Sequence, residues 1–305
     1  MIQRHKLMFY TRKFMSPGQL FRRLITQHTP LPVVGVINSY CALLAQASGH
    51  HALYLSGAGV ANAAFGLPDL GMTTLTEVVE EARRITDSVS LPLLVDIDTG
   101  WGHAFNIART IKLMERAKVA AVHLEDQEAN KRCGHRPNKR ITSTVNMLDR
   151  IKAAVDARVD EHFVIMARTD ALAIEGINQA LERAQAYVEA GADMIFAEAI
   201  TTLKDYELFT HYLKVPVLAN ITEFGQTPLF SQQALADVGV KLVLYPLSAF
   251  RAMSYAARQV YDAIKKEGTQ QSCLPFMQTR EALYQVLNYH TYEQTLDKLS
   301  EDGYD

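Results

Sequence analysis

The sequence predicts an α/β fold, a closed (β/α)8 barrel continued by extra C-terminal helices. From residue 31 onward, short runs rich in Val, Ile and Leu alternate with longer segments of helical period, the pattern of β-α units around a parallel sheet. About eight such runs occur in series. No compositional break or linker divides them, which favours a closed barrel over an open doubly wound sheet. The length of 305 residues alone leaves one or two domains open, since barrels of roughly 250 residues fold as one unit.

In chain order, Arg4, Lys6, Arg12 and Lys13 mix with Phe9, Tyr10 and Phe14 in a segment without the continuous apolar stretch of a secretory signal. Residues 1–15 read as a loose arm, and Met15 before Ser16-Pro17-Gly18 as a natural start. Residues 16–305 read as one barrel domain. Its strand runs are 33–37, 52–56, 91–98, 120–125, 163–169, 193–199, 216–222 and 241–247. Thr74-Leu75-Thr76-Glu77 resembles a capping box for a helix reaching about Val89. Further helices start near Ala104, Thr144, Ile177, Thr202, Ser231 and Phe250. The extension from about residue 250 has three helical segments, 250–266, 277–288 and 292–300, more than one barrel closure needs.

A formal charge of −2, from 31 basic and 33 acidic side chains, argues against a protein that coats nucleic acid or an anionic membrane. Any cationic site must be local. Three cysteines, Cys41, Cys133 and Cys273, fit a reducing cytoplasm better than a disulfide framework. No stretch is long and apolar enough to span a bilayer.

A barrel collects its functional groups at the carboxyl ends of its strands. Here those ends read Ser56-Gly57-Ala58-Gly59, Asp96-Ile97-Asp98, His123-Leu124-Glu125-Asp126, Arg168-Thr169-Asp170, Glu198 and Asn220-Ile221-Thr222-Glu223. A single acid after a strand is more often a helix cap. The joint pattern points further: Asp96 and Asp98 share one strand face, Glu125 arrives from the adjacent strand, and converging carboxylates repel unless a cation sits between them. Hard oxygen donors favour Mg²⁺ or Mn²⁺, and the absence of HExxH or CxxC spacing argues against zinc.

The longest irregular segment follows the fourth strand. Lys131, Arg132, Arg136, Lys139 and Arg140 surround Cys133 and His135 there. Cations stabilise a thiolate, so Cys133 is expected to have a lowered pKa and to exchange a proton near neutrality, against the plainer reading of a solvated charged loop. Gly134 and Pro137 suit a loop that closes over substrate. Without interleaved aromatics the run fits a small polyanion better than nucleic acid. Arg168, and further along Arg251 and Arg280, are candidate carboxylate or phosphate clamps. The Gly57-Ala58-Gly59 turn comes close to a dinucleotide fingerprint but ends in Asn62 and lacks an acid at the next strand end. It reads instead as a loop offering backbone N–H groups to a carboxylate.

At these residues the chain resembles the isocitrate lyase and phosphoenolpyruvate mutase superfamily. The resemblance rests on Leu94-Val95-Asp96-Ile97-Asp98-Thr99-Gly100, His123-Leu124-Glu125-Asp126-Gln127, Lys131-Arg132-Cys133-Gly134-His135, Asn220-Ile221-Thr222-Glu223-Phe224-Gly225 and Tyr245-Pro246-Leu247-Ser248-Ala249-Phe250-Arg251, and it covers about 16–297. The cysteine-bearing loop is similar to the lyase branch, and within it to the enzymes of the methylcitrate cycle. Ala58 stands where that family often has a third glycine and Trp101 where it often has phenylalanine. The resemblance implies a Mg²⁺-dependent retro-aldol cleavage of 2-methylisocitrate to pyruvate and succinate. Asp96, Asp98 and Glu125 would hold the metal, Tyr54 would take the hydroxyl proton, and Cys133, with His135, would serve the nascent carbanion. Ser56, Gly57, Ala58, Gly134, Arg168, Glu198, Asn220, Ile221, Thr222, Arg251 and Arg280 would bind substrate. It further implies a cytoplasmic homotetramer that exchanges C-terminal helices. The rival substrate is isocitrate, whose lyases usually carry a large insertion. A catalytically silent barrel that binds small carboxylates is the alternative from another class.

Overall fold

A computed structural model describes residues 15–128, 131–135 and 138–301. Eight parallel strands close into a barrel in sequence order: β1 (Leu31–Gly35), β2 (Leu53–Leu55), β3 (Leu93–Asp96), β4 (Ala121–Glu125), β5 (Val164–Thr169), β6 (Met194–Ala197), β7 (Val217–Asn220) and β8 (Leu242–Tyr245), which pairs back with β1. All but β1, which begins two residues early, lie inside the runs read from the sequence.

Helix α1 (Pro17–Gln27) precedes the barrel, and α2 (Ser39–Ala47) follows β1. After β2 come a three-residue turn α3 (Gly57–Gly59), a π-helical turn at Val60–Ala64, and α4 (Leu75–Ser88). Then follow α5 (Ala104–Arg116), α6 (Thr144–Ala157), the single turn α7 (Leu172–Glu175) with α8 (Ile177–Glu189), α9 (Leu203–Tyr212) and α10 (Gln232–Asp237). The chain ends in α11 (Ser248–Glu267), a 3₁₀ turn at Gln271–Phe276, α12 (Arg280–Leu287) and α13 (Tyr289–Glu301). The capping box forms as the sequence suggests: the Thr74 N–H donates to Glu77 Oε2 at 2.7 Å, and Glu77 N–H to Thr74 Oγ1 at 3.4 Å.

Strand alternation sorts the core into two layers. Outward-facing Leu93, Val95, Val122, Ile165, Ile195, Val217 and Val243 pack under the helices. Inward-facing Leu94, Ala121, Val164, Met166, Met194, Leu218 and Leu242 fill the barrel. The bottom is closed by α1, an element the sequence reading left unassigned. Ser16 caps it by accepting from the Gln19 N–H at 3.2 Å, Pro17 supplies a preset φ at its first position, and Phe21, Leu24 and Ile25 join the inner layer. Their burial contributes about 2 kcal/mol each. Gly18 lies so close to the His162 carbonyl that a Cβ would come within 2.4 Å of its oxygen. Residues 16–20 are therefore held in place, while residues 1–14 of the expected arm lie outside the described residues.

Helix α11 buries none of its side chains, and beside it an apolar cavity of about 450 Å³ opens over β1 and β8, lined by Val34, Val36, Cys41, Leu44, Tyr245 and Met253. Tyr255, Tyr261, Phe276, Tyr292 and Leu296 are exposed on the same extension. Among the described residues no helix is long and apolar enough to cross a membrane.

Candidate active site at the barrel mouth

The alternation that builds the inner layer also delivers the polar groups. Continuing each inward row past the apolar residues brings Tyr54 and Ser56, Asp96, His123 and Glu125, Arg168, Glu198, and Asn220 and Thr222 to the carboxyl end. A cavity of about 360 Å³ lies there, lined by Tyr54, Ser56, Ala58, Asp96, Arg168, Glu198, Asn220, Thr222 and Arg251, and roofed by Lys131 to His135. Part of its remaining lining is apolar: Phe196, Leu244, Pro246 and Leu247.

One side of this cavity is a carboxylate pair. A Cβ placed on Gly57 would lie 3.2 Å from Asp96 Oδ2 and 3.1 Å from Asp98 Oδ1, so both acids face the turn after β2. Asp96 is fixed by N–H groups of Gly57 at 3.1 Å and Asp98 at 3.0 Å. Burial opposes its ionisation, but His123, Lys131 and Arg168 outweigh that and hold its carboxyl at about 2. Burial and the Asp96 charge push Asp98 up to about 6. The Lys131 ammonium reaches Asp98 Oδ1 and lies 2.9 Å from Asp69 Oδ1. Glu125 is fully buried, its oxygens accept no hydrogen bond, and Arg168 Nη1 is 3.1 Å away; burial raises its pKa well above the carboxylate range. Among the described residues no three acids, histidines or cysteines converge as a ready ligand set. Two hard carboxylates side by side, with the Glu125 oxygens buried nearby without a hydrogen bond, nevertheless fit a cation that keeps several waters, as Mg²⁺ does. Asp96 and Asp98 would hold it, with Glu125 turned toward Arg168.

The opposite side is an ionic chain centred on Arg168. Its guanidinium meets Glu125, Asp170 at 3.1 Å and Glu198 at 3.3 Å, and lies over the Phe196 ring at 5.2 Å. These carboxylates already occupy the expected free clamp, so Arg168 positions acids as much as it offers charge to a ligand. Asp170 also receives Lys139 Nζ at 2.6 Å, and the same ammonium donates to the Gly134 carbonyl at 2.5 Å. Glu198 is held well below its ordinary pKa despite burial, by Arg168 and His135. The Gln226 backbone N–H donates to His135 Nδ1 at 3.0 Å. Because a backbone N–H can only donate, Nδ1 is an acceptor, and Nε2 carries the proton toward Glu198 Oε1 at 3.2 Å.

Several sequence expectations change here. The Cys133 thiol is pushed up rather than down. Burial dominates and Asp69 and Glu198 add to it, because the surrounding cations are consumed: Lys131 by Asp69 and Asp98, Lys139 by Asp170. Arg136 and Pro137 lie outside the described residues. The N–H of Gly57 is taken by Asp96 and is not free for substrate. Ile221 is not brought to the cavity. Alternation turns it outward, and it packs in the sheet–helix layer. Arg280 sits exposed at the start of α12, away from the mouth of its own barrel. Tyr54 donates to or accepts from His123 Nε2 at 2.9 Å, and burial with Asp96 raises its phenol well above 10, so on its own it is a proton donor. His123, lowered to about 4 mainly by burial, is neutral near pH 7. Asp69, Phe196 and Leu244 are residues that sequence reasoning missed; it placed His123 and Asp170 at strand ends without a role, and Lys131 and Lys139 only as cations around the thiol. Inward parity would have pointed to His123, Phe196 and Leu244.

Known proteins resemble this chain over most of its length. The family model described as phosphoenolpyruvate phosphomutase matches residues 21–265. A curated relative named 2-methylisocitrate lyase, from Vibrio cholerae, is 62% identical over 291 residues, covering 93% of this chain and 94% of that one. The crystal structure of a 2,3-dimethylmalate lyase superposes with a TM-score of 0.85 at 32% identity, over 94% of this chain and 96% of that one. A phosphonopyruvate hydrolase complexed with oxalate and Mg²⁺ superposes with a TM-score of 0.81 at 26% identity, over 95% of this chain and 100% of that one.

Proposed function

The chain belongs to the phosphoenolpyruvate phosphomutase family, and from that membership we propose that it is a carbon–carbon lyase cleaving 2-methylisocitrate to pyruvate and succinate. One observation carries the reading: a thiol, Cys133, and a carboxylate, Asp96, with Asp98 beside it, meet at one cavity that also carries an apolar stretch. That stretch, Phe196, Leu244 and Pro246, gives the methyl group a surface that isocitrate would leave unused.

A divalent cation held by Asp96 and Asp98 would acidify the substrate hydroxyl and offset the charge of the adjoining carboxylate. The Mg²⁺ in the hydrolase structure supports this choice of ion. Tyr54 takes the hydroxyl proton while passing its own to His123 Nε2, 2.9 Å away, so that the proton leaves along the pair. Cleavage then leaves the electron pair on the succinate carbon. Cys133 is a thiol near neutrality, and its S–H supplies the proton that quenches this carbon. Asn220, Thr222 and Arg251 hold the distal carboxylates, the Ala58 turn and Ser56 hold the one that becomes pyruvate, and His135 Nε2–H and Glu198 orient the network. The test is Mg²⁺-dependent pyruvate release from 2-methylisocitrate, coupled to lactate dehydrogenase. Equal or faster conversion of isocitrate to glyoxylate would overturn the substrate assignment.

The assembly we propose is a homotetramer exchanging C-terminal helices. It is supported by α11, which buries none of its side chains, by the apolar cavity over β1 and β8, and by Arg280, which is exposed at the start of α12 and does not line the cavity of its own chain. Sedimentation as a monomer would sink it. The free thiols Cys41, Cys133 and Cys273 suit a reducing cytoplasm.

A further inference from the structure

We infer that Lys131 is an internal counter-cation for the metal-binding carboxylates, its ammonium competing with a divalent cation for Asp98 and so coupling metal binding to the position of the Cys133 loop. The inference rests on the metal reading above and goes one step beyond it. Lys131 is the first described residue of the segment that carries Cys133, Gly134 and His135, and its side chain is 5% exposed. Its Nζ meets Asp98 Oδ1 and lies 2.9 Å from Asp69 Oδ1, joining the turn after β3, the loop before α4 and the loop after β4. Gly57 places Asp98 Oδ1 beside Asp96 Oδ2, so the ammonium touches the acid that would share the cation. An ammonium and a divalent ion cannot both take close contact with one buried carboxylate oxygen without strong repulsion. Binding the ion therefore frees Lys131 from Asp98, and the loop loses one of the bonds that seat it. By reciprocity, the Lys131–Asp98 contact weakens metal binding by the factor by which the ion weakens that contact.

The test needs no turnover. Mn²⁺ binding to the full-length protein is measured by electron paramagnetic resonance at about pH 8 without substrate. Lys131→Met should bind Mn²⁺ about tenfold or more tightly than the parent chain. Lys131→Arg, which keeps the charge, should stay within about threefold of the parent. Alkylation of Cys133 by a small thiol reagent reads the loop: Mn²⁺ should accelerate it in the parent chain and leave it unchanged in Lys131→Met, which reacts fast throughout. If Lys131→Met does not fold, Lys131→Gln carries the same expectation. Equal or weaker Mn²⁺ binding by the uncharged variant overturns the competition. Binding by neither chain overturns the metal reading itself, so the two failures are distinguishable.

Discussion

Replacing Gly134 by Ala should disable the site without unfolding the protein. A Cβ at Gly134 would lie 2.4 Å from Arg168 Nη2 and 2.5 Å from both Cγ and Oε2 of Glu198. Ordinary contact needs about 3.4 to 4 Å, so a separation of roughly 1 Å or more must open somewhere. Arg168 cannot supply it, being held by Glu125 at 3.1 Å, Asp170 at 3.1 Å and Glu198 at 3.3 Å. The loop must therefore lift, and Cys133 and His135 move with it. A displacement of about 1 Å in a proton donor costs on the order of 100-fold in kcat. Gly134 is not among the residues of positive φ, so Ala introduces no backbone strain, and the unfolded chain loses about 0.4 to 1 kcal/mol of entropy in its favour. The expected result is a kcat for pyruvate release lowered about 100-fold, an unchanged or slightly higher melting temperature, and faster alkylation of Cys133. A kcat within about threefold of the parent enzyme would show that the close approach to Arg168 and Glu198 does not set the position of the thiol.

Four further outcomes follow from the structure. Alkylation of resting Cys133 should still be accelerating at pH 9, because burial, Asp69 and Glu198 raise the thiol above that ordinary value; a plateau reached by pH 8 contradicts the account of the consumed cations. Cys133→Ser should lose nearly all turnover while binding succinate and pyruvate, as measured calorimetrically, and near-parental turnover rules out the thiol as proton donor. Tyr187→Phe removes a hydroxyl that donates to Asp126 at 2.9 Å and accepts from Arg183 at 3.2 Å, leaving both a partner short. It should cost about 1 to 3 kcal/mol in denaturant unfolding, whereas no change in stability would mean that water replaces the hydroxyl. Leu244→Ala should lower the kcat/KM preference for 2-methylisocitrate over isocitrate by about tenfold, the worth of one methyl contact. An unchanged ratio would place the methyl group elsewhere.

What the sequence discloses follows from one rule applied along each strand, and what it hides follows from where that rule stops. Parity puts Asp96 beside Leu94, Arg168 beside Met166 and Glu198 beside Phe196 on the inner face, so the strand-end acids and the barrel are legible together. The same rule sends Ile221 outward between Asn220 and Thr222, so a motif match that carries all three into the site conflicts with the pleat that the sequence itself dictates. Helix α1 escapes because only Phe21, Leu24 and Ile25 mark its inner stripe, and their partners Leu31, Leu94 and Leu218 belong to three different strands. The charge state of Cys133 is hidden for a deeper reason. Sequence places Lys131 and Lys139 near the thiol but cannot place Asp69, Asp98 and Asp170, which arrive from three other loops and cancel them. Sign and magnitude in such a site depend on convergence, not on neighbours in the chain. A loop rich in lysine and arginine therefore carries a protonated thiol, and proton donation to carbon is the role that this state suits.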